Sequence, residues 1–242
     1  MLSDGRYVSK PIKRSKNSHL ANRKLRVVCG RCNSGWMSAI ESDAKPYLIP
    51  LIRGEDTQLC GVALLAVSKW IALKVIVSEH DNPKHFVTPE DDRRRFADDG
   101  TIPDYFDIRI AAHSLDTEVG YIRHTQTVTI STPDGSFVSP ESTPIKNMQD
   151  VQFIIGRLLV VAGASRSNIK IDEMFGIRSD ALPRIWPNDT RELNWPPLRI
   201  LGLPEVRSLS ARFDAFQRLN RPLWRQHPSD PIDLEKLPKD WA

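Results

Sequence analysis

The chain has 242 residues, of which 40% are hydrophobic and 26% are charged, and its formal net charge is +4. These proportions are close to globular averages, so disorder of the whole chain is not expected. Three cysteines are too few for a secreted disulfide framework, and no uninterrupted apolar run is long enough for a membrane-spanning helix. We therefore predict a soluble, cytoplasmic protein with reduced cysteines.

The charge is distributed unevenly along the chain. Residues 1–31 contain nine basic side chains and one acidic side chain, so this segment carries +8 and the remaining 211 residues carry −4. Residues 1–24 also lack apolar periodicity, which predicts a basic arm on a slightly acidic body. Such an arm indicates a phosphate-rich partner, here DNA, although a solubilising tail has the same composition. The residues predicted to contact nucleic acid are Lys13, Arg14, Lys16, Arg23, Lys24, Arg26 and Arg31.

A strand, a turn and a helix are predicted after the arm. The apolar and basic run Leu25–Val28 is a candidate strand, and residues 29–32 are predicted to form a tight turn. A helix is predicted over residues 33–48, because apolar side chains recur at helical spacing. Pro46 is expected to kink this helix or to end it one residue earlier, because proline removes the backbone donor to Ser42. The apolar face of the helix contains Trp36, Ile40, Ala44 and Tyr47.

Two contrasting stretches follow. Residues 58–79 are the most apolar part of the chain and predict a buried helix, since apolar side chains recur at helical intervals. Lys69 and Lys74 interrupt this stretch, which argues against a membrane span. Residues 81–103 are polar and predict a solvated helix or loop. Within it, Arg93–Arg95 could touch phosphate, but a solvated face is the favoured interpretation.

The rest of the chain is predicted to be mainly an antiparallel sheet. Residues 104–164 contain period-two alternation and β-branched runs, which are typical of strands. The apolar run Val151–Val161 is broken by Gly156-Arg157 and predicts two strand segments, and a turn is predicted at Pro133–Gly135. Pro204 is predicted to open a helix as its first residue. The face of that helix contains Val206, Leu209, Phe213 and Phe216.

The segment most informative about function is Cys29-Gly30-Arg31-Cys32. Two cysteines separated by two residues can direct both sulfurs at one metal, and structural Zn²⁺ takes four such ligands. The chain has no second CxxC, so the remaining ligands would come from Cys60, a histidine or a second chain. A zinc half-site and two free thiols therefore both remain open. A redox pair would need a thioredoxin-like context, which the basic surroundings do not supply.

Residues 26–50 resemble the bacterial and phage HNH endonuclease-like proteins. Those proteins carry a C-x-x-C-N-x-G-W-M-S signature followed by an acidic residue, Ala-Lys-Pro and an apolar run. The Trp-Pro motifs at Trp186 and Trp195 are also similar to the C-terminal region of that family. The residues that match the signature are Cys29, Cys32, Asn33, Gly35, Trp36, Met37, Ser38, Glu41, Ala44, Lys45, Pro46 and Leu48.

The resemblance implies a ββα-metal module, in which a two-stranded hairpin and a helix hold a catalytic divalent metal. Two CxxC pairs hold a structural zinc in that family, and Cys29 and Cys32 match the second pair. Asn33 falls where the module places its last ligand for the catalytic metal, Mg²⁺ or Mn²⁺, which supports phosphodiester hydrolysis of DNA. Where the general base is missing, Asn33 is instead expected to cap the following helix.

Two parts of the family's module have no counterpart before Cys29. The chain has no first CxxC and no acidic residue next to a histidine upstream, and the Glu79-His80 dipeptide lies downstream. The chain is therefore expected to begin inside the module, either because Met1 is not the native start or because the module has decayed. We expect weak or no cleavage by this chain. The alternative is a non-catalytic zinc-knuckle, nucleic-acid-binding or protein-interaction protein.

The predicted fold class is α+β. A basic arm (residues 1–24) precedes a partial HNH-like segment (25–50) and a body (51–242). The body is expected to contain a buried helix, an antiparallel β-sheet and a C-terminal helix.

Overall fold

A computed structural model of the chain describes residues 28–81, 85–115, 119–126, 147–166, 181–187 and 192–209. The basic arm, most of the candidate strand Leu25–Val28 and the predicted turn at Pro133–Gly135 lie outside these residues. The helices are α1 (Gly30–Cys32), α2 (Ser38–Arg53), α3 (Gly61–Ser78), α4 (Glu90–Asp99) and α5 (203–209). The strands are β1 (Thr57–Cys60), β2 (Phe106–Ala112), β3 (Val119–Gln126), β4 (Met148–Ile155), β5 (Leu158–Ser165), β6 (Arg184–Trp186) and β7 (Glu192–Trp195).

The strands confirm the predicted α+β class. β3, β4, β5, β2 and β6 form one antiparallel sheet in that order, and β1 pairs with β7 separately. The run Val151–Val161 is divided as predicted, because β4 and β5 form a hairpin that turns at Gly156-Arg157. Gly156 has a φ of 54°, a left-handed conformation that favours glycine. This hairpin brings distant parts of the chain together, since the N–H of Arg157 donates to the carbonyl of Ile52 at 2.7 Å.

α3 is the buried helix predicted from the apolar stretch. Leu64, Val67 and Ile71 are fully buried, and Trp70 meets Phe153 of β4 edge-to-face with ring centroids 5.8 Å apart. α2 and the main sheet pack against α3 in one hydrophobic core. Among the described residues, Gly61–Ser78 is the one helix long and apolar enough to span a membrane, and 61% of it is buried inside the fold. Its apolar side chains are thus used by the core, as in a core helix of a soluble protein.

Pro46 does not end the helix, so that part of the expectation is wrong. α2 runs through both Pro46 and Pro50 and ends at Gly54, which has a φ of 71°. Pro46 is exposed, whereas the buried side chains Ala44 and Leu48 join the core. Packing of this buried face stabilises the helix more than the single lost hydrogen bond to Ser42 destabilises it.

The arginine run in α4 faces solvent only in part. Arg94 and Arg95 are largely exposed, as predicted. Arg93 is turned inward instead, where its guanidinium donates to the carbonyl of Thr88 at 2.7 Å and lies 3.6 Å from the Glu79 carboxylate. This inward position follows from the Glu79 carboxyl, the Thr88 carbonyl and the Phe86 ring, whose centroid lies 4.4 Å from the guanidinium carbon, and no local sequence pattern indicates it.

The second face of the main sheet is covered by chain from the C-terminal third. A helix is present near Pro204 as predicted, although it covers residues 203–209 and so begins one residue before the proline; Val206 and Leu209 join one hydrophobic cluster with Leu159 and Val161 of β5. Phe213 and Phe216, predicted for the same helical face, lie outside the described residues. Trp186 and Trp195 end β6 and β7, and each is followed by a cis proline.

Candidate functional site

Cys29 and Cys32 lie side by side at the first turn of the helical segment. Cys29 has extended backbone angles and caps α1, because its sulfur accepts the Cys32 N–H at 3.3 Å. The two Sγ atoms are 3.3 Å apart, and both cysteines are free thiols. The hydrogen bond that the Cys29 sulfur accepts from the backbone N–H of Cys32, together with its side-chain contact with Cys32, holds the pKa of the Cys29 thiol below its usual range. The arrangement places two neighbouring sulfurs at the surface, with Cys29 exposed and Cys32 half-buried.

Asn33 does not cap the helix, so that expectation is wrong. The helix begins earlier, since the N–H of Asn33 already donates to the carbonyl of Cys29 at 3.0 Å. Asn33 therefore lies inside the helical segment, and its side chain is exposed. An exposed amide beside the thiols is compatible with the metal-ligand role implied by the resemblance, and nothing in the fold assigns it that role.

Residues Asn33–Met37 join the cysteine turn (residues 29–32) to α2 across a kink. The backbone leaves helical geometry at Gly35, whose ψ is −115°. Beyond this bend, Met37 is buried and Trp36 packs edge-to-face on Phe96 of α4, with ring centroids 6.0 Å apart. Trp36 and Met37 of the signature, together with the half-buried Cys32, thus anchor this turn to the core.

The donor set fits half of a tetrahedral zinc site. Zinc–sulfur bonds of about 2.3 Å place two ligating sulfurs roughly 3.8 Å apart, a small opening from the separation in this turn. Cys60, the third cysteine, occupies the N-cap position of α3 and is exposed. Across the described ranges, no group of three or more histidine, cysteine, aspartate or glutamate side chains could hold a metal ion. The sequence had left open that Cys60 or a histidine supplies the remaining zinc ligands. Neither Cys60 nor a described histidine lies in such a group with Cys29 and Cys32.

Of the residues predicted to contact nucleic acid, Arg31 is the one that the structure describes. Arg31 lies between the two cysteines on α1, and its side chain is exposed. It places a positive charge beside the thiols, where it would favour an anionic partner. The other predicted contacts, Lys13, Arg14, Lys16, Arg23, Lys24 and Arg26, lie outside the described residues.

The Glu79-His80 dipeptide marks a buried polar site that the sequence did not reveal. Glu79 is fully buried and accepts hydrogen bonds from the hydroxyl of Thr88 at 2.7 Å and from the Gln149 amide. Burial raises the pKa of this carboxyl, although the Thr88 and Gln149 hydrogen bonds oppose the shift. His80 instead meets Phe86 edge-to-face, with ring centroids 5.0 Å apart. The two side chains therefore do not act as an acid–base pair.

No protein-family model, no curated protein and no solved structure matches this chain. The class defined by the fold and the site is accordingly an α+β protein with an exposed dithiol turn anchored to its core.

Proposed function

We propose that the chain is a cytoplasmic, HNH endonuclease-like protein that binds DNA. In this proposal Cys29 and Cys32 contribute half of a structural zinc site, and the basic residues of the first 31 positions contact phosphate. The observation that carries the proposal is the pair of sulfurs 3.3 Å apart on an exposed helical turn. Trp36 and Met37 fix that turn to the core.

The zinc ion would serve folding rather than catalysis. A bound zinc supplies positive charge that holds both thiolates and ties the turn to its other ligands. Those two ligands belong to residues outside the described ranges or to a second protein chain. Cys29 already accepts the N–H of Cys32, which stabilises the negative charge that zinc binding requires.

The DNA contact is supported by charge. The first 31 residues carry +8 on a body that carries −4, so the attraction to phosphate is concentrated at one end of the chain. Arg31 continues this positive charge onto the described helix beside the cysteines. A stretch of this charge gains affinity by releasing counterions from DNA.

We expect little or no cleavage by this chain. The resemblance supplies one ligand for the catalytic metal, Asn33, and a single amide oxygen is a weak ligand for Mg²⁺ or Mn²⁺. Plasmid nicking assays with either ion should show no activity above that of an Asn33→Ala control. Strong metal-dependent nicking that Asn33→Ala abolishes would instead establish a catalytic HNH nuclease.

Zinc content tests the metal site directly. Zinc should co-purify with the wild-type chain and with Cys60→Ser, and it should be lost from Cys29→Ser and from Cys32→Ser. Loss of zinc should lower the melting temperature of the same two variants, because binding free energy contributes to folding. Equal zinc content in all four proteins, or none in any of them, would contradict the proposed site.

Salt dependence tests the DNA contact. Replacing Arg23 and Lys24 with alanine should make the plot of log affinity against log salt shallower by about 1–2, if both residues contact phosphate. The matched control replaces Arg94 and Arg95, which are exposed on α4. Fluorescence anisotropy with a labelled duplex measures both variants. An equal decrease in slope for both double variants, or an unchanged slope for both, would show that Arg23 and Lys24 are not the phosphate contacts.

A further inference from the structure

The geometry of the two thiols also suits a covalent bond between them. Their sulfurs are 3.3 Å apart, and a disulfide requires about 2.05 Å, so the sulfurs must approach by little more than 1 Å. Cys29 is exposed and Cys32 is half-buried against the core, so the Cys29 side chain has the space to make most of this movement. Helical geometry is interrupted at Gly35, between this pair of cysteines and α2.

We infer that Cys29 and Cys32 are a redox modification site, at which a small-molecule disulfide such as oxidised glutathione drives a reversible intrachain disulfide. This inference goes beyond the proposed function, because it needs the two thiols and does not need zinc. It also differs from an oxidoreductase activity, since the pair itself is the substrate.

The exchange proceeds through a mixed disulfide. The sulfur of Cys29, which is the more exposed of the two, loses its proton and attacks one sulfur of oxidised glutathione. The glutathione S–S bond breaks, and the leaving thiolate takes up a proton. The sulfur of Cys32 then loses its proton and attacks Cys29, which forms the protein disulfide and releases the second glutathione thiol. The two cysteines lose two electrons and two protons, and one oxidised glutathione becomes two reduced molecules.

Cys60 provides an internal comparison. It is an exposed free thiol at the start of α3, and no other described cysteine is paired with it. A lone thiol stops at the mixed disulfide, because no neighbouring sulfur can displace the glutathione. The same oxidant should therefore produce two different products on one chain.

The experiment uses the full chain, freed of metal by a chelator, in buffers of graded reduced-to-oxidised glutathione ratio. Free thiols are blocked with a maleimide and the chain is digested with trypsin. Trypsin cuts after Arg31, between the two cysteines, so only a Cys29–Cys32 disulfide keeps their two peptides joined. The joined peptides should accumulate as oxidised glutathione increases and separate again after treatment with a dithiol. Cys29→Ser should yield separate peptides with glutathione on Cys32.

The inference is overturned if Cys29 and Cys32 stay free, or each keeps a glutathione, under conditions that fully modify Cys60. A parallel series with added zinc separates this result from the proposed function. Slower formation of the joined peptides in the presence of zinc supports both the disulfide and the zinc site. An unchanged rate supports the disulfide and contradicts the zinc site. Zinc binding without joined peptides in the zinc-free series contradicts the disulfide alone.

Discussion

The helical segment is capped by Cys29 and not by the nearby Asn33. Asparagine is among the preferred helix caps, yet Cys29 caps α1 and Asn33 lies inside the helical segment. Preferred caps contribute about 1 kcal/mol, which is less than the packing of Trp36 and Met37 that positions this segment. Tertiary packing therefore decides where the helix begins.

Glu79 should make folding stability depend on pH in a defined direction. Because burial raises its pKa, its contribution is present below the ordinary glutamate pKa and is lost as pH rises through the folded value. The wild-type chain should therefore lose stability relative to Glu79→Gln as pH rises from about 4 to 8. Denaturant unfolding across this range measures the difference.

The matched control for this prediction is Glu90→Gln, since Glu90 is an exposed carboxylate on α4. Its stability difference from wild type should change little with pH. A difference for Glu79→Gln that stays constant, or that grows in favour of wild type as pH rises, would show that burial does not dominate this carboxyl.

At the scale of elements, the β4–β5 hairpin and the C-terminal end of α2 support each other. The N–H of Arg157 donates to the carbonyl of Ile52, and a Cβ at Gly156 would lie 2.3 Å from that same oxygen. The hairpin turn was predictable from Gly156-Arg157 in an apolar run. Its contact with α2 was not, because the two segments are distant in sequence.

Gly156→Ala should therefore destabilise the fold by about 2 kcal/mol or more, through backbone strain and the clash with Ile52. Gly120→Ala is the matched control in the same sheet, where the added Cβ meets Ile154 at an ordinary 3.8 Å. It should change stability by less than about 0.5 kcal/mol. Chemical denaturation compares the two, and similar losses would show that the turn tolerates a side chain.

At the scale of the whole molecule, α3 organises the core. α2 packs on one side of it, and β2, β5 and β6 pack on another. Lys74 was interpreted as an interruption of the apolar stretch, and it lies where the helix reaches the surface, paired with Glu41 and 5.4 Å from the Trp70 ring centroid. A helix surrounded in this way must be apolar around most of its circumference.

Truncation within α3 should separate core from surface. Leu64→Ala should cost about 2–5 kcal/mol, because Leu64 is fully buried and its loss leaves a cavity. Val62→Ala, two residues earlier and 72% exposed, should cost less than about 0.5 kcal/mol. Urea unfolding of both variants provides the measurement. Comparable losses would place α3 in a different environment from the core described above.

The sequence by itself determined the α+β class, the buried helix and the division of Val151–Val161 into two strands. It also determined that the sulfurs of Cys29 and Cys32 lie close together. These features follow from local periodicity and spacing, which record burial within one segment. Only the tertiary structure decided the course of α2 through Pro46 and the inward position of Arg93. Each of these depends on a packing surface or a buried polar partner outside the helix concerned, whose free energy outweighs the local preference.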